Sequence, residues 1–303
     1  MRQAIAKLLS FVVRGYFACV CLGLISLSNV LASVDVCEDP DKYSRLSIDI
    51  VRYSDSTFDD GAGVVGQKNN NFNLMFNTND DKYLFGAGHR YSIFDVDPLQ
   101  PQTNGHLHTF FLPLHILTGT DHRSFRASVA PALSASSNVF DNRKLSNDAF
   151  QLLVALVWGR RLSDRTSLRY GICGDHRFGD YQIYPVISAQ WQPHPDWRIQ
   201  LGFPTSWLSY QVSARLTSII RITPDGNEWY VLDRTLVNHS QFVYESFALE
   251  WAVDWEVGES FAITASVGRQ IDNRFEMTLV DQSRVRLSSD SVTRVGAALE
   301  WRF

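Results

Sequence analysis

An antiparallel transmembrane β-barrel, all-β and carried behind a cleaved signal peptide, is the fold class this 303-residue chain predicts. Three observations predict it. Long stretches alternate apolar and polar residues, the period of a strand with one greasy face. Short and long polar connections succeed one another between those stretches. An apolar run at the front has the layout of an export signal.

At the front, Arg2, Lys7 and Arg14 form a basic region, residues 15–27 an apolar one, and Val30-Leu31-Ala32 a small-residue cleavage pattern. Ser26, Ser28 and Asn29 spoil the end of the run as an uncleaved anchor. Cleavage after Ala32 divides the chain into a signal peptide (1–32), a periplasmic N-terminal segment (33–44) and the barrel (45–303). It removes three basic residues and no acidic one, which takes the formal net charge from −4 to −7. An acidic exported chain is unsuited to nucleic acid. At 45% hydrophobic residues the chain is too apolar for disorder. One long apolar run cannot supply a helical bundle, in which each span needs about 20 apolar residues.

Cys19 and Cys21 leave with the signal, so Cys37 and Cys173 alone reach an oxidising compartment. They can pair if the N-terminal segment folds back into the barrel. Two cysteines make no disulfide framework, and separate thiols are the plainer reading.

The strands follow in order. Residues 45–53 place Leu46, Ile48 and Ile50 on one face. Residues 71–78 and 82–96 meet across Asn79-Asp80-Asp81, and 107–117 and 124–136 across 118–122. Residues 150–162 turn at Ser163-Asp164-Arg165 into 167–177, and 184–192 turn at 193–196 into 197–203. Residues 242–256 turn at Val257-Gly258-Glu259 into 261–271. The last stretch, 293–303, sets Val295, Ala297, Leu299, Trp301 and Phe303 on one face. Polar loops at 54–67, 97–105 and 138–148 separate the hairpins, the asymmetry expected of tight periplasmic turns and longer outside loops. Residues 205–236 and 272–291 break the pattern, and either fits an outside hairpin. Pro224-Asp225-Gly226-Asn227 reads as a turn within the first. The long alternating stretches give about 12 strands, and a further pair at 207–223 would give 14; both are even, and we take 12.

With the apolar faces toward lipid, a charge at the bilayer midplane would cost about 2–4 kcal/mol. Arg90, Arg126, Arg169, Asp175, Arg177, Arg198, Glu250, Asp254, Glu256, Arg294, Glu300 and Arg302 are therefore expected inside or near the rims. Their mixed signs favour interlocked ion pairs over a single-sign selectivity ring. Beside the short turns stand Tyr83, Phe125, Trp191, Trp197, Trp255 and Phe261, and at the terminus Trp301 and Phe303. These fit a periplasmic aromatic girdle, because amphipathic rings favour the headgroup zone.

Chemistry-bearing motifs are few. In Asn238-His239-Ser240 a histidine and a serine are adjacent, so on one strand they point to opposite faces, whereas a base must reach its nucleophile. His106 and His108 share a face with metal-binding spacing but read as a solvated strand end. His115 reads as an interior, hydrogen-bonded histidine. No cofactor-binding, phosphate-loop or metalloprotease motif occurs.

Leu112-Pro113-Leu114-His115, 161–165 (Arg-Leu-Ser-Asp-Arg), Phe178-Gly179-Asp180, Pro185-Val186-Ile187, Trp191-Gln192-Pro193 and 197–204 occur in sequence. Their order resembles an uncharacterised Gram-negative outer-membrane β-barrel family, over about 45–303. The resemblance implies the outer membrane and a barrel fold, with no substrate or catalytic residues. Terminal Phe303, with Trp301 and Leu299 on its face, looks like the signal that barrel-assembly machinery reads. The expected function is a channel, a transport-like protein or a structural envelope component, with outer-membrane lipids as partners and no cofactor. The alternatives are an outer-membrane lipid hydrolase and a secreted soluble β-sandwich or lipocalin-like binder.

Overall fold

Among the residues described by the computed structural model, the alternating segments form fourteen antiparallel strands, each hydrogen-bonded to the next, and the last pairs with the first. The described residues are 36–38, 40, 43–59, 63–78, 81–96, 105–120, 122–232, 239–278 and 283–303. The expected signal peptide, 1–32, lies outside them.

The strands are β1 (Arg45–Tyr53, prolonged by Ser56–Thr57), β2 (Val64–Asn77), β3 (Tyr83–Val96), β4 (His106–Phe111 with Leu114–Thr120) and β5 (Arg123–Ser136). Then come β6 (Phe150–Ser163), β7 (Thr166–Asp175), β8 (Gln182–His194), β9 (Trp197–Phe203) and β10 (Ser206–Ser213). The remainder are β11 (Leu216–Pro224 with Asn227–Leu232), β12 (His239–Glu256), β13 (Phe261–Thr278) and β14 (Arg284–Ser289 with Val292–Arg302). The seam is in register from Arg45 opposite Arg302 to Tyr53 opposite Arg294. Such closure joins the two edge strands of the sheet along the membrane-spanning wall.

The strand number corrects the expectation of 12. β9 and β10 are joined on the outer side only by Pro204 and Thr205. The short–long alternation of connections fails there, and with it the sequence cue that separated wall from loop. Pro224-Asp225-Gly226 is likewise an inward bend within β11, not a hairpin turn: the strand continues beside β12 up to Leu232. Gly226 is required at the bend. A Cβ there would lie 2.6 Å from the Tyr244 carbonyl oxygen and 2.7 Å from that of Arg177.

The two faces are sorted as a membrane demands. Outward residues include Leu201 and Ile187, 66% and 60% exposed, with Trp251, Val295 and Leu299; inward ones include Glu250, 1% exposed. An apolar exterior around a polar interior inverts a soluble sandwich or lipocalin, and so large an exposed apolar surface has no place in water. Tyr83, Phe125, Trp191, Trp197, Trp255, Phe261, Trp301 and Phe303 lie on the outer face beside the short turns and the terminus.

The outer half of the barrel is different. There the inward face is apolar: Phe94, Leu107, Trp229, Phe242, Tyr244, Phe275 and Met277 form one buried cluster. Phe94 meets Phe242 and Tyr244 at 5.3 and 5.1 Å between ring centroids. The upper part of β11 crosses toward β5, where Tyr230 stands opposite Ala135. Trp229 Nε1 donates to Thr109 Oγ1 at 3.1 Å, and Gln151 Nε2 to the Glu228 carbonyl at 2.7 Å. This crossing strand and the aromatic cluster close the outer mouth.

The N-terminal segment enters the interior. Cys37 is disulfide-bonded to Cys173 of β7, with Cα atoms 5.7 Å apart. This overturns the reading as separate thiols, because residues 36–38 do fold back inside the wall.

Leu201 sits four residues above Trp197 on the apolar outer face of β9. Replacing it with arginine is expected to destabilise the barrel by about 2–4 kcal/mol, read from urea unfolding in phospholipid vesicles.

Candidate functional site

The enclosed face of the lower barrel is the candidate site, and alternation alone aims its side chains there. On β12 the even-numbered residues point inward, so Glu250 meets Arg221 of β11 and Arg294 of β14. Arg221 Nε donates to its Oε1 at 3.0 Å, and Arg294 Nη2 lies 3.3 Å from its Oε2. Arg294 also lies over the Tyr53 ring, 5.9 Å from the centroid. Higher in the lumen, Asp225 accepts from Arg90 Nη2 at 2.8 Å and from Gln270 Nε2 at 3.1 Å. Asp49 of β1 accepts from Asn71 at 2.6 Å.

Beside β7 a second group forms. Asp175 accepts from Tyr184 OH at 2.7 Å and from Arg177 Nε at 2.9 Å. Arg177 also lies 3.9 Å from Glu38 of the N-terminal segment. Arg126 holds that segment: its guanidinium donates to the carbonyls of Val36, Cys37 and Glu38 at 2.7, 2.9 and 2.5 Å. Three charge-assisted bonds to consecutive carbonyls fix the backbone more firmly than apolar contact could.

Among the described residues, the lumen holds a cavity of about 80 Å³ and another of about 50 Å³. Arg90, Arg177, Pro224 and Asp225 line both and so form the partition between them. Thr109, Gln151 and His176 contribute to the larger cavity, and Asn69, Asn71 and Arg294 to the smaller. The arrangement can hold water or a small polar solute, and passage between the cavities requires the Arg90–Asp225 pair to move.

The other expected inward charges lie nearer the periplasmic end. Arg169 donates to Gln200 Oε1 at 3.2 Å. Glu300 accepts from Arg302 at 2.6 Å and from Arg45 at 3.3 Å. Glu256 is 3.3 Å from Arg302. Asp254 is half-buried, in register with Thr217 and Thr264. Arg198 shares the face of Gln200 but is exposed at the rim. His115 is buried, with Nδ1 2.8 Å from Ser128 Oγ.

Asp225, Arg221 and Gln270 were missed from sequence, the first because it read as a turn residue and the second because it lay in an unassigned stretch. Asp49 and Gln270 could have been found by parity, facing away from Ile48 and Ile271. Asn238 and the side chain of His239 lie outside the described residues. His106 and His108 do not converge on one ligand position: His106 Nδ1 bonds Tyr91 OH, while His108 bonds His89 and Ser137. The cluster of metal-ligand type among the described residues is Cys37, Cys173 and Asp175, and its two sulfurs are joined to each other.

Closure, apolar exterior and charged lumen together define a transmembrane barrel of the outer-membrane type. No family model matches the chain. No curated protein matches it either. Among solved structures, an outer-membrane channel from Pseudomonas putida F1 is similar at 7% identity, with 90% of this chain and 100% of that one covered and a TM-score of 0.44. The translocator domain of the autotransporter NalP from Neisseria meningitidis is similar at 9% identity, over 86% and 88% of the chains, with a TM-score of 0.40. The Pseudomonas putida toluene transporter TodX is similar at 13% identity, over 87% and 89%, with a TM-score of 0.33. At these scores the assignment rests on this chain's own seam and faces.

Glu250 to alanine would leave the buried Arg294 without its carboxylate. The expected loss is about 3–5 kcal/mol in urea unfolding, as for other buried pairs broken on one side.

Proposed function

We propose that this protein is an outer-membrane channel for small polar solutes, closed in this state at its outer mouth by the crossing part of β11 with the aromatic cluster, and filled further by its own N-terminal segment. The observation that carries the reading is the polar lumen, with cavities parted by an Arg–Asp pair and residues 36–38 held inside by Arg126 and the Cys37–Cys173 bond. A barrel serving only as scaffold gains little from such an interior, because buried ion pairs stabilise weakly compared with packed apolar side chains. The mixed signs at the partition favour uncharged or zwitterionic solutes over a simple anion or cation preference. The lumen is read as a conduit and not as a catalytic centre.

Lipids contact the outer belt. The C-terminal strand presents Leu299, Trp301 and Phe303 on one face, with Trp301 and Phe303 rings 5.0 Å apart, as an assembly signal for the barrel-insertion machinery.

In planar bilayers the oxidised protein is expected to conduct weakly, and a variant joining Cys37→Ser and Arg126→Ala to Trp229→Ala, which loosens the outer closure as well, several-fold more. Equal, negligible conductance from both would mark a structural envelope component instead. Removing Phe303 is expected to lower the fraction of heat-modifiable, folded barrel in outer-membrane preparations several-fold. An unchanged fraction would remove the terminal residue from the signal.

A further inference from the structure

Outside the lumen, on the lipid-side wall near the outer rim, three side chains from separate elements form a hydrogen-bonded series. His108 of β4 has Nε2 2.9 Å from Ser137 Oγ and Nδ1 3.0 Å from His89 Nε2 of β3. Ser137 opens the outer loop after β5, where it also approaches the His106 carbonyl oxygen at 3.4 Å. His89 stacks on Phe110 at 4.4 Å and Tyr91 on His108 at 4.7 Å, while the His89 and His108 rings lie within 8° of parallel, edge to edge, with centroids 5.3 Å apart. Stacked rings at a membrane interface would anchor the wall without further help. Stacking alone does not require a serine at one imidazole nitrogen and an acceptor at the other. That connectivity is what a serine nucleophile needs: a base on its hydroxyl, and a third group that fixes the base's tautomer.

We propose that Ser137, His108 and His89 form a hydrolytic site for fatty-acyl esters of outer-leaflet lipids. The site faces the membrane rather than the lumen, so it is independent of the channel reading. Phe110 and Phe140, edge to face at 5.5 Å, flank it and offer an apolar path for an acyl chain. Ser137 Oγ attacks the ester carbonyl carbon and passes its proton to His108 Nε2. The carbonyl–oxygen single bond to the alcohol then breaks, and the departing alkoxide takes that proton. This leaves acyl-Ser137. Water adds to the acyl carbon, giving a proton to His108; the bond to Ser137 Oγ breaks, the proton returns to the serine, and a fatty acid leaves. His89 is a positioning residue. With its own proton on Nδ1, its Nε2 accepts from His108 Nδ1–H and holds the imidazole toward the serine.

The test uses the full chain folded in detergent, with a fluorophosphonate probe, p-nitrophenyl acyl esters and phosphatidylethanolamine vesicles. The expected results are probe attachment at Ser137 by peptide mass and fatty-acid release. Attachment should vanish in Ser137→Ala. His108→Asn should cut ester hydrolysis by about 10²-fold or more, the usual worth of a general base. His89→Leu should slow hydrolysis, while His89→Gln, which keeps an acceptor near the place of Nε2, should retain it within a few-fold. The gel shift between folded and boiled forms checks that each variant folds. No attachment at Ser137 in the wild-type chain, or hydrolysis equal to that of Ser137→Ala, would overturn the proposal.

Discussion

Every other feature of this molecule depends on the seam between β1 and β14. A bilayer offers no water to satisfy backbone N–H and C=O groups, so an open sheet edge in lipid costs several kcal/mol per unpaired group. Joining Arg45–Tyr53 to 294–302 removes both edges at once. Closure also creates an inside, and only an inside makes the charged half of each strand tolerable. Glu250, Arg294 and Asp225 are therefore consequences of pairing geometry before they are features of a site.

The interior has two zones with different physics. Toward the periplasm it is ionic, with carboxylates shared among arginines from several strands. Toward the outside it is aromatic, and β11 leans across it to reach β5. The bend at Pro224–Gly226 is the hinge between the zones: it turns the strand inward and delivers Asp225 to Arg90. The N-terminal segment fills part of what remains, held by Arg126 and the bond to Cys173.

Much of the architecture was legible in the sequence because period-two alternation is a local property. The facing of Glu250 against Trp251, or of Arg294 against Val295, needs no knowledge of distant residues. The strand number was less legible, since β9 and β10 are joined by too short a link to look like an outside connection. Pro224-Asp225-Gly226 carries turn chemistry yet serves as a bend, because β12 supplies the pairing that a turn would have ended. The disulfide and the His89–His108–Ser137 series join residues 136, 19 and 29 positions apart. No local pattern encodes such meetings; they follow from strand register and from where a loop settles.

The short strands β9 and β10 also act on the surrounding lipid. Their 7 and 8 residues climb about 18–20 Å at a rise of about 3.3 Å per residue and a tilt of about 40°, below the roughly 25 Å apolar band of such barrels. β12 and β13, with 18 residues each, climb more than twice as far. The bilayer thus meets a cylinder of unequal height. It must thin beside the low side, or the cylinder must lean, and either mismatch costs a fraction of a kcal/mol per Å. The protein would then favour thinner patches of membrane and carry its own local deformation wherever it diffuses.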